Sequence, residues 1–326
     1  MVNNFVADQN QTIFLYESGT FANTSGAGQW PGEVQSCDPD EELNIQPIRF
    51  QGSGDRNVDD FKDTIKDYSI SINKYPQDWR NLYFALGGCS TSGSDPYVHT
   101  ITELNNDDSN GIVGGVLLPS VTLENSKSIG VAGSNLIRTF NGCVLDALSI
   151  SSDGEGIITC DETWLSSNLT PGSGNPTAVV NQTTSAWEAC NFKYDFSGTQ
   201  LDVLKGWDFS VSNNHTPDHY SNGSCFASSF TAGNRDYEFS PTLDSNAEFA
   251  MMLYRDYFLT GSEFNGKLKG TIITGSRDIE ITMSGCRIID MEQPTSIEGK
   301  NEDTLTIVPK SVSSIATDSI PKYKLF

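Results

Sequence analysis

Gly142-Cys143-Val144-Leu145-Asp146 returns 143 residues later as Gly285-Cys286-Arg287-Ile288-Ile289-Asp290. The similarity extends upstream, where Asp67-Tyr68-Ser69-Ile70-Ser71 and Asp236-Tyr237-Glu238-Phe239-Ser240 each lead into a segment with helical character, residues 78–86 and 247–259. Each of these segments ends at glycine, and strand-like sequence then leads to the Gly-Cys pair. A unit of about 150 residues used twice indicates two copies of one domain, and it favours an assembly that exploits pseudo-symmetry.

Alternating apolar and polar residues predict that most of the chain forms strands. Residues 277–283 place Ile279, Ile281 and Met283 on one face and polar residues on the other, which is typical of a half-buried strand. Residues 145–150 and 156–160 are predicted to pair as a hairpin across an Asp-Gly turn. The apolar stripes of the two helical segments, which include Trp79 and Phe249, are expected to face the core. The predicted fold is mainly β, with two tandem β-sandwich domains that are each flanked by one α-helix.

The domain boundaries follow from the repeat and from composition. We predict a first domain over residues 1–170, a linker rich in Pro, Gly and Ser at 171–181, and a second domain over 182–326. Each half also has a long polar loop between two strands, at residues 52–63 and 213–235. Long loops without secondary structure usually carry contacts. The termini, about 1–25 and 310–326, lie outside the repeated core and are predicted to contact neighbouring subunits and rings.

The charge of the chain excludes several classes of function. Only 20 basic residues stand against 42 acidic ones, for a net charge of −22, which argues against a phosphate-binding surface. The longest apolar run, residues 111–121, is interrupted by glycine and proline and is too short to span a bilayer, so we expect no membrane segment. Seven cysteines without a Cys-x-x-Cys pair favour reduced thiols over a zinc site, although one bridge between Cys190 and Cys225 stays open.

No motif for catalysis or cofactor binding is visible. Residues 261–268 resemble a phosphate-binding loop, but Leu268 occupies the position that needs Ser or Thr, and the segment follows a helix instead of opening one. His215 and His219 lie close in sequence, but Pro217 between them denies the helix on which they would converge on a metal. We therefore predict no enzymatic activity, no cofactor and no metal.

The order of these landmarks resembles that of the major tail tube proteins of long-tailed bacterial and archaeal viruses. The resemblance is carried by His99-Thr-Ile-Thr, by the stretch from Arg138 through the Gly142-Cys143 pair, by residues 191–214, and by residues 234–239 with the second helix and the closing strands. Each motif is short and structural, and together they cover about two thirds of the chain.

The resemblance implies a structural virion protein whose rings stack into the tail tube, with tail-tube-type β-sandwich domains and a channel through which viral DNA is ejected into the host. Such rings commonly present six domains, so we predict three tandem chains with pseudo-sixfold symmetry; a ring of six chains is the alternative. Its partners are then copies of itself, other tail proteins at the tube ends and DNA in transit without specific binding. The protein is expected in the virion tail, assembled in the host cytoplasm.

An acidic channel suits this role, because DNA that passes a cationic wall would bind by counterion release. Tube walls of this kind are continuous sheets, and the strands that border the two long loops are the candidates for the wall. The candidate channel-facing acidic residues are Asp59, Asp60, Asp63, Asp67 and Asp236.

Two alternatives come from other classes. A two-domain β-sandwich binding module, such as a carbohydrate-binding or receptor-binding virion protein, would need an exposed aromatic cluster, whereas Trp30, Trp164 and Trp187 are scattered along the sequence. A hydrolase would need a converging acid and base that the sequence does not display.

Overall fold

The computed structural model describes most of the chain. The described residues are 11–17, 21–22, 24–50, 57–104, 118–128, 135–180, 184–201, 203–221, 223–244, 252–272, 276–294, 302–321 and 323. The N-terminal ten residues, the first part of the predicted second helix (247–251, with Phe249) and residues 52–56 of the first predicted loop therefore lie outside the described residues.

The described residues are mainly β-strands. The strands are β1 Gln11–Glu17, β2 Thr24–Gln29, β3 Glu33–Glu42, β4 Gln46–Ile48, β5 Asp60–Lys62, β6 Asp67–Tyr75, β7 Gly87–Gly93, β8 Tyr97–Glu103, β9 Val121–Lys127, β10 Asn135–Ser152, β11 Thr159–Ser166, β12 Asn168–Gly174, β13 Val179–Val180, β14 Phe192–Phe196, β15 Thr199–Leu201, β16 Leu204–Ser212, β17 Thr216–Asp218, β18 Ser229–Thr231, β19 Asp236–Asp244, β20 Phe264–Ile272, β21 Arg277–Glu292, β22 Glu302–Val308 and β23 Ser311–Asp318. Helix α1 spans Arg80–Leu86, a 3-10 turn spans Ala189–Asn191, and α2, a π-helical segment, spans Leu253–Phe258.

One sheet, the central sheet, runs through both halves of the chain. Its strands follow the order β3-β6-β11-β10-β16-β19-β22-β21, and all neighbours are antiparallel. The pairing of β10 with β16 joins the first half to the second, and we call it the intrachain seam. Within the described residues, β3 pairs only with β6, and residues 287–292 of β21 pair only with β22. The central sheet therefore ends in two edge strands, one from each half.

Two further sheets cover one face of the central sheet. The first cover sheet has the order β13-β2-β1-β9-β10-β12, and the second has the order β15-β14-β20-β21-β23-β8-β7. The long strands β10 and β21 each pass from the central sheet into a cover sheet. At both corners a glycine has positive φ, 64° at Gly142 and 62° at Gly285. Glycine adopts this conformation without a Cβ clash, which explains why both Gly-Cys pairs occur at these corners.

Aromatic side chains fill the space between the sheets. Phe14 of the first cover sheet lies 5.6 Å from Trp164 of the central sheet, and Tyr194 of the second cover sheet lies 4.9 Å from Phe239 (ring centroids). Helix α1 is buried along its whole length, with all of its residues inside the core. Burial of each such ring contributes about 1.5–3 kcal/mol. The mainly β sandwich that the sequence predicts is confirmed.

The strand pairings of the two halves repeat in the same register. Gly142 and Cys143 have the same strand neighbours as Gly285 and Cys286: β9, β11 and β12 in the first half correspond to β20, β22 and β23 in the second. The bulge between Leu145 and Ala147 recurs between Ile288 and Asp290. The hydrogen-bonding pattern thus supports the internal repeat. The division into domains at 1–170 and 182–326 stays a prediction, because the central sheet and one hydrophobic core are shared by both halves.

Several segments differ from their sequence-based expectations. Hairpin β17–β18 lies within the predicted loop 213–235, whereas hairpin β4–β5 pairs β5 of the predicted loop 52–63 with β4 from the sequence before that loop. The N-terminal segment, which was expected outside the core, contributes β1, whose Ile13 and Phe14 are buried. The C-terminal segment, which was expected outside the core, contributes β23, a strand that pairs with both β21 and β8. Its alternation of Val312, Ser314 and Ala316 as inward residues explains its burial. Strand β12 also reaches into the predicted linker, where it pairs with β10.

Candidate functional site

The five candidate acidic residues fall into two groups. Asp67 and Asp236 are the first residues of β6 and β19 and are equivalent in the repeat. Asp67 accepts a hydrogen bond from His219 Nε2 at 2.9 Å, and Asp236 accepts one from Asn214 Nδ2 at 2.9 Å.

Asp59, Asp60 and Asp63 lie instead on the first hairpin, which we define as the described residues 43–50 and 57–66 around β4–β5. Asp60 pairs with Lys62 at 2.6 Å, and Asp59 accepts the Phe50 backbone N–H at 2.8 Å. The structure therefore does not bring the five carboxylates together. Asp67 and Asp236 belong to the central sheet, and the other three project from its end.

The uncovered face of the central sheet is polar and acidic. Strands β6, β16, β19 and β22 alternate between buried residues that face the core and residues on this polar face. The polar face carries mainly Ser, Thr, Asn and carboxylates, with a few apolar residues such as Ala147 and Val308. Its carboxylates are Asp38, Asp40, Glu42, Asp67, Asp161, Asp208, Asp236, Glu238, Asp244, Asp290, Glu292 and Glu302. Two basic residues border it, and both are in ion pairs: Lys205 with Glu302, and Arg287 with Glu263 at 3.1 Å.

Asp208 lies among other carboxylates of this face. Burial raises the pKa of Asp208 above its ordinary value, and the charges of Glu238 and Asp161 raise it further, against a hydrogen bond from Ser149 Oγ at 2.7 Å. Asp161 in turn accepts a hydrogen bond from Asn73 at 2.7 Å. Neutral hydroxyl and amide groups thus hold the carboxylates in place, and no described lysine or arginine neutralises the middle of the face.

The intrachain seam shows how one half of the chain joins the next. On the polar face, Ala147 lies opposite Ser212, Ser149 opposite Ser210, and Ser151 opposite Asp208. These pairs put no two carboxylates directly across the seam. At its end, Asp146 accepts the His215 backbone N–H at 2.6 Å, and the Asn213 side chain donates to the Leu145 carbonyl at 3.0 Å.

The second hairpin, residues 213–235 around β17–β18, lies on the first half of the same chain. Phe230 is buried in a cluster with Val144 and Ala227, packed against Phe21 and Leu165. The Lys66 backbone N–H donates to the Cys225 carbonyl at 2.9 Å, and Ser167 Oγ donates to the Ala227 carbonyl.

Its counterpart, the first hairpin, pairs Pro47 with Phe61 as the second pairs Pro217 with Phe230. Both hairpins can be found in the sequence only by aligning the two repeats at these Pro and Phe positions. Each strand has three residues, which is too short to show a periodic pattern of its own.

The other candidate motifs have structural roles. Gly261, at the start of the phosphate-loop-like segment, follows α2 with a φ of 62°, and β20 begins at Phe264. His99 is buried in β8, where its ring stacks on Tyr323 at 3.7 Å. The seven cysteines are free, with Cys190 and Cys225 exposed. Among the described residues, no cluster of three potential metal ligands occurs and no helix is long and apolar enough to cross a membrane.

The tryptophans bear on the binding-module alternative. Trp79, Trp164, Trp187 and Trp207 are buried in the core, and Trp30 is half-buried. An exposed tryptophan cluster, which a carbohydrate-binding surface would use, is therefore not formed.

Residues 51–312 match the family model described as phage tail tube protein. Because this match covers most of the 326 residues, the chain belongs to the phage tail tube protein family. No curated protein matches the sequence. Family membership makes the chain a structural component of the viral tail that assembles with copies of itself and with other tail components, and it favours a role without enzymatic activity.

Proposed function

We propose that the protein forms closed rings of three chains that stack into a tube, with the acidic polar face of the central sheet lining the channel for viral DNA. The observation that carries this proposal is the intrachain seam, because it supplies a template for the contact between chains. In the repeat, β21 is equivalent to β10 and β3 is equivalent to β16. The free edge of β21 in one chain therefore pairs with the free edge of β3 in the next, and we call this contact the interchain seam.

The register of the interchain seam follows from the same equivalence. Ala147 opposite Ser212 corresponds to Asp290 opposite Glu42, and Ser149 opposite Ser210 corresponds to Glu292 opposite Asp40. Joining these edges closes the sheet around the ring and leaves no exposed edge strand, which is the usual way in which β-proteins avoid uncontrolled pairing.

Strand spacing favours three chains. Each chain contributes eight strands to the central sheet. At about 4.8 Å between strands, three chains give a circumference of roughly 115 Å and a diameter of roughly 37 Å before strand tilt widens it. Side chains then leave room for one DNA duplex, whereas six chains would double the width.

The acidic lining explains passage without binding. Asp67 and Asp236 lie on the proposed channel face, whereas Asp59, Asp60 and Asp63 lie on the first hairpin at its end, where Lys62 and Lys66 pair with Asp60 and Asp63. A wall of carboxylates and hydroxyls repels the phosphate backbone, so DNA has no cationic site at which to release counterions and stop.

Electron microscopy of the purified, polymerised protein tests the proposal. We expect hollow tubes whose cross-section contains three chains and six similar lobes. Compact particles that never form rings or tubes would overturn the proposed function, and six chains in a cross-section would overturn the stoichiometry.

The lining has a separate test. Ser210→Lys with Ser240→Lys places two cations on the polar face, and Thr282→Lys with Thr317→Lys places two on the second cover sheet as a matched control. Tubes with the first pair are expected to retain short duplex DNA, and the control tubes are expected to release it like the parent. Equal release from both variants would show that the polar face does not line the channel.

A further inference from the structure

The two hairpins have the same pairing but opposite burial. Phe230 of the second hairpin is 2% exposed, whereas Phe61, its equivalent in the first hairpin, is 64% exposed. Both lie opposite a proline in the same register. The second hairpin is covered because the first half of its own chain lies beside it, whereas no described residue of the chain covers Phe61 of the first hairpin in this way.

The residues at the base of the two hairpins occupy equivalent positions but differ in polarity. In the second hairpin, His215 meets Asp146 through its backbone N–H at 2.6 Å. The equivalents of these two residues are Ile45, which is 48% exposed, and Ile289, which is 58% exposed. The positions that form a polar contact within the chain are thus occupied, in the other copy of the repeat, by two exposed isoleucines. These isoleucines lie at the two opposite edges of the central sheet. Exposed apolar residues at matching positions mark a contact surface.

The surface that would receive the first hairpin carries basic side chains. The equivalents of Val144 and Leu165, against which Phe230 packs, are Arg287 and Val308 on the second half. Arg287 and the nearby Lys310 share one carboxylate, Glu263, at 3.1 and 2.6 Å, which leaves a net positive patch on a chain of net charge −22.

The first hairpin carries Asp59 and Asp60 beside Phe61. Asp60 is paired with Lys62 and Asp63 with Lys66 inside the hairpin, so Asp59 is the carboxylate that complements the basic pair of Arg287 and Lys310 on the receiving surface.

We propose that the first hairpin of each chain docks on the second half of the neighbouring copy in the same ring, as the second hairpin docks on the first half of its own chain. Ile45 then packs on Ile289, Phe61 packs beside Val308, and the carboxylate of Asp59 faces Arg287 and Lys310. This docking rests on the proposed ring and specifies which residues hold it closed.

A pair of engineered disulfides tests the location of the contact. In a parent with the exposed cysteines replaced, Cys190→Ser and Cys225→Ser, the variant Val58→Cys with Arg287→Cys is expected to cross-link chains. Its matched control is Val144→Cys with Ala227→Cys, because these equivalent residues share one cluster within the chain. In the control, the two introduced thiols should form a disulfide within one chain. The protein should therefore still migrate as a single chain on a non-reducing gel.

The sizes of the cross-linked species distinguish the outcomes. Contacts within a three-chain ring give dimers and trimers and nothing larger. In rings that electron microscopy shows to contain three chains, a ladder beyond trimers would place the hairpin on an adjacent ring, and absence of cross-links in rings that the variant itself forms would remove the contact, so either result overturns the docking. Failure of the parent to form rings would remove the proposed function, and the docking with it.

A second pair of variants measures the contribution of the hairpin. Phe61→Ala is expected to raise the protein concentration needed for ring assembly by at least about tenfold, as loss of a buried aromatic anchor does. Phe50→Ala is the control, because Tyr220, the equivalent of Phe50, stays 58% exposed on the docked second hairpin. Phe50→Ala should assemble within about twofold of the parent. Unimpaired assembly of Phe61→Ala, with its thermal unfolding unchanged, contradicts the proposal.

Discussion

The two hairpins carry the same pairing pattern on the same kind of sheet, yet the chain covers one and exposes the other. The second hairpin, with Phe230, lies on the half of the chain that precedes it. The first hairpin, with Phe61, is not covered in this way by any described residue of the chain. The difference teaches that burial here is decided by the position of a unit in a tandem chain and not by its local sequence. An exposed residue whose repeat equivalent is buried is therefore a marker of a contact between copies.

The largest expected effect is on the stability of the single chain. Phe230→Ala is expected to lower the free energy of unfolding by about 3–5 kcal/mol, since it leaves a cavity between the hairpin and the first half. Phe61→Ala should change it by less than about 0.5 kcal/mol, because the ring is exposed. Urea unfolding of the unassembled protein measures both. Similar losses of unfolding free energy in the two variants would contradict the difference in burial between the two hairpins.

The base of the hairpins gives an intermediate effect. Asp146→Ala removes the acceptor of the His215 N–H and is expected to cost about 1–3 kcal/mol in unfolding of the single chain. Ile289→Ala, its equivalent, should leave single-chain unfolding nearly unchanged and weaken assembly instead. The two variants are compared by urea unfolding and by the concentration dependence of ring formation. An Ile289→Ala chain that assembles normally would mean that this residue is not in the contact.

The two seams should also differ in their response to salt. The intrachain seam has no carboxylates directly opposite each other, whereas the interchain seam is proposed to bring Glu42 to Asp290 and Asp40 to Glu292. Each like-charge pair opposes assembly by up to about 1 kcal/mol, and the Debye length falls from about 10 Å at 0.1 M to about 3 Å at 1 M salt. Assembly monitored by light scattering is therefore expected to strengthen with salt, and Glu42→Gln with Asp290→Asn should flatten this dependence. Stronger assembly of the parent at low salt would argue against the proposed register.

The smallest effect concerns Asp208 in the intrachain seam. Burial raises its pKa above 3.8, so the folded chain favours the neutral carboxyl. That contribution to stability is complete below about pH 3.8 and is lost as the pH rises through the raised pKa. Asp208→Asn, which stays neutral and can still accept from Ser149, should therefore raise the melting temperature at neutral pH. The gain should vanish below pH 3.8, and a gain that persists there would point to a cause other than ionisation.

Much of the fold could be predicted from sequence because its signals are local or repeated. Gly142 and Gly285 identified the repeat, since both hold a backbone conformation that glycine favours at the corner between two sheets. The helix predicted at 78–86 is confirmed, although it begins at Arg80. The alternation at 277–283 matches the buried and exposed faces of β21.

The candidate site could be predicted less completely than the fold, because its features depend on contacts between distant segments. Phe61 and Phe230 each lie opposite a proline in their hairpin, and no local sequence pattern distinguishes the buried ring from the exposed one. Asp59, Asp60 and Asp63 were chosen because they border a predicted wall strand, and the strand pairing assigns them to a hairpin beyond that strand. Strand β23 was missed for a similar reason, since its short alternation gains meaning only beside β8 and β21.

The pairing of β10 with β16 has a consequence for how quickly and how reliably a ring can close. In the proposed ring of three chains, half of the six junctions are completed when each polypeptide folds, before any two molecules meet. Each bimolecular encounter loses translational and rotational freedom worth about 4–15 kcal/mol, so fusing the units removes three such losses from the path to a closed ring. Fusion also frees the two kinds of junction to evolve apart: the one within the chain can remain permanent, while the one between chains keeps acidic edges that hold separate molecules apart until assembly conditions are met.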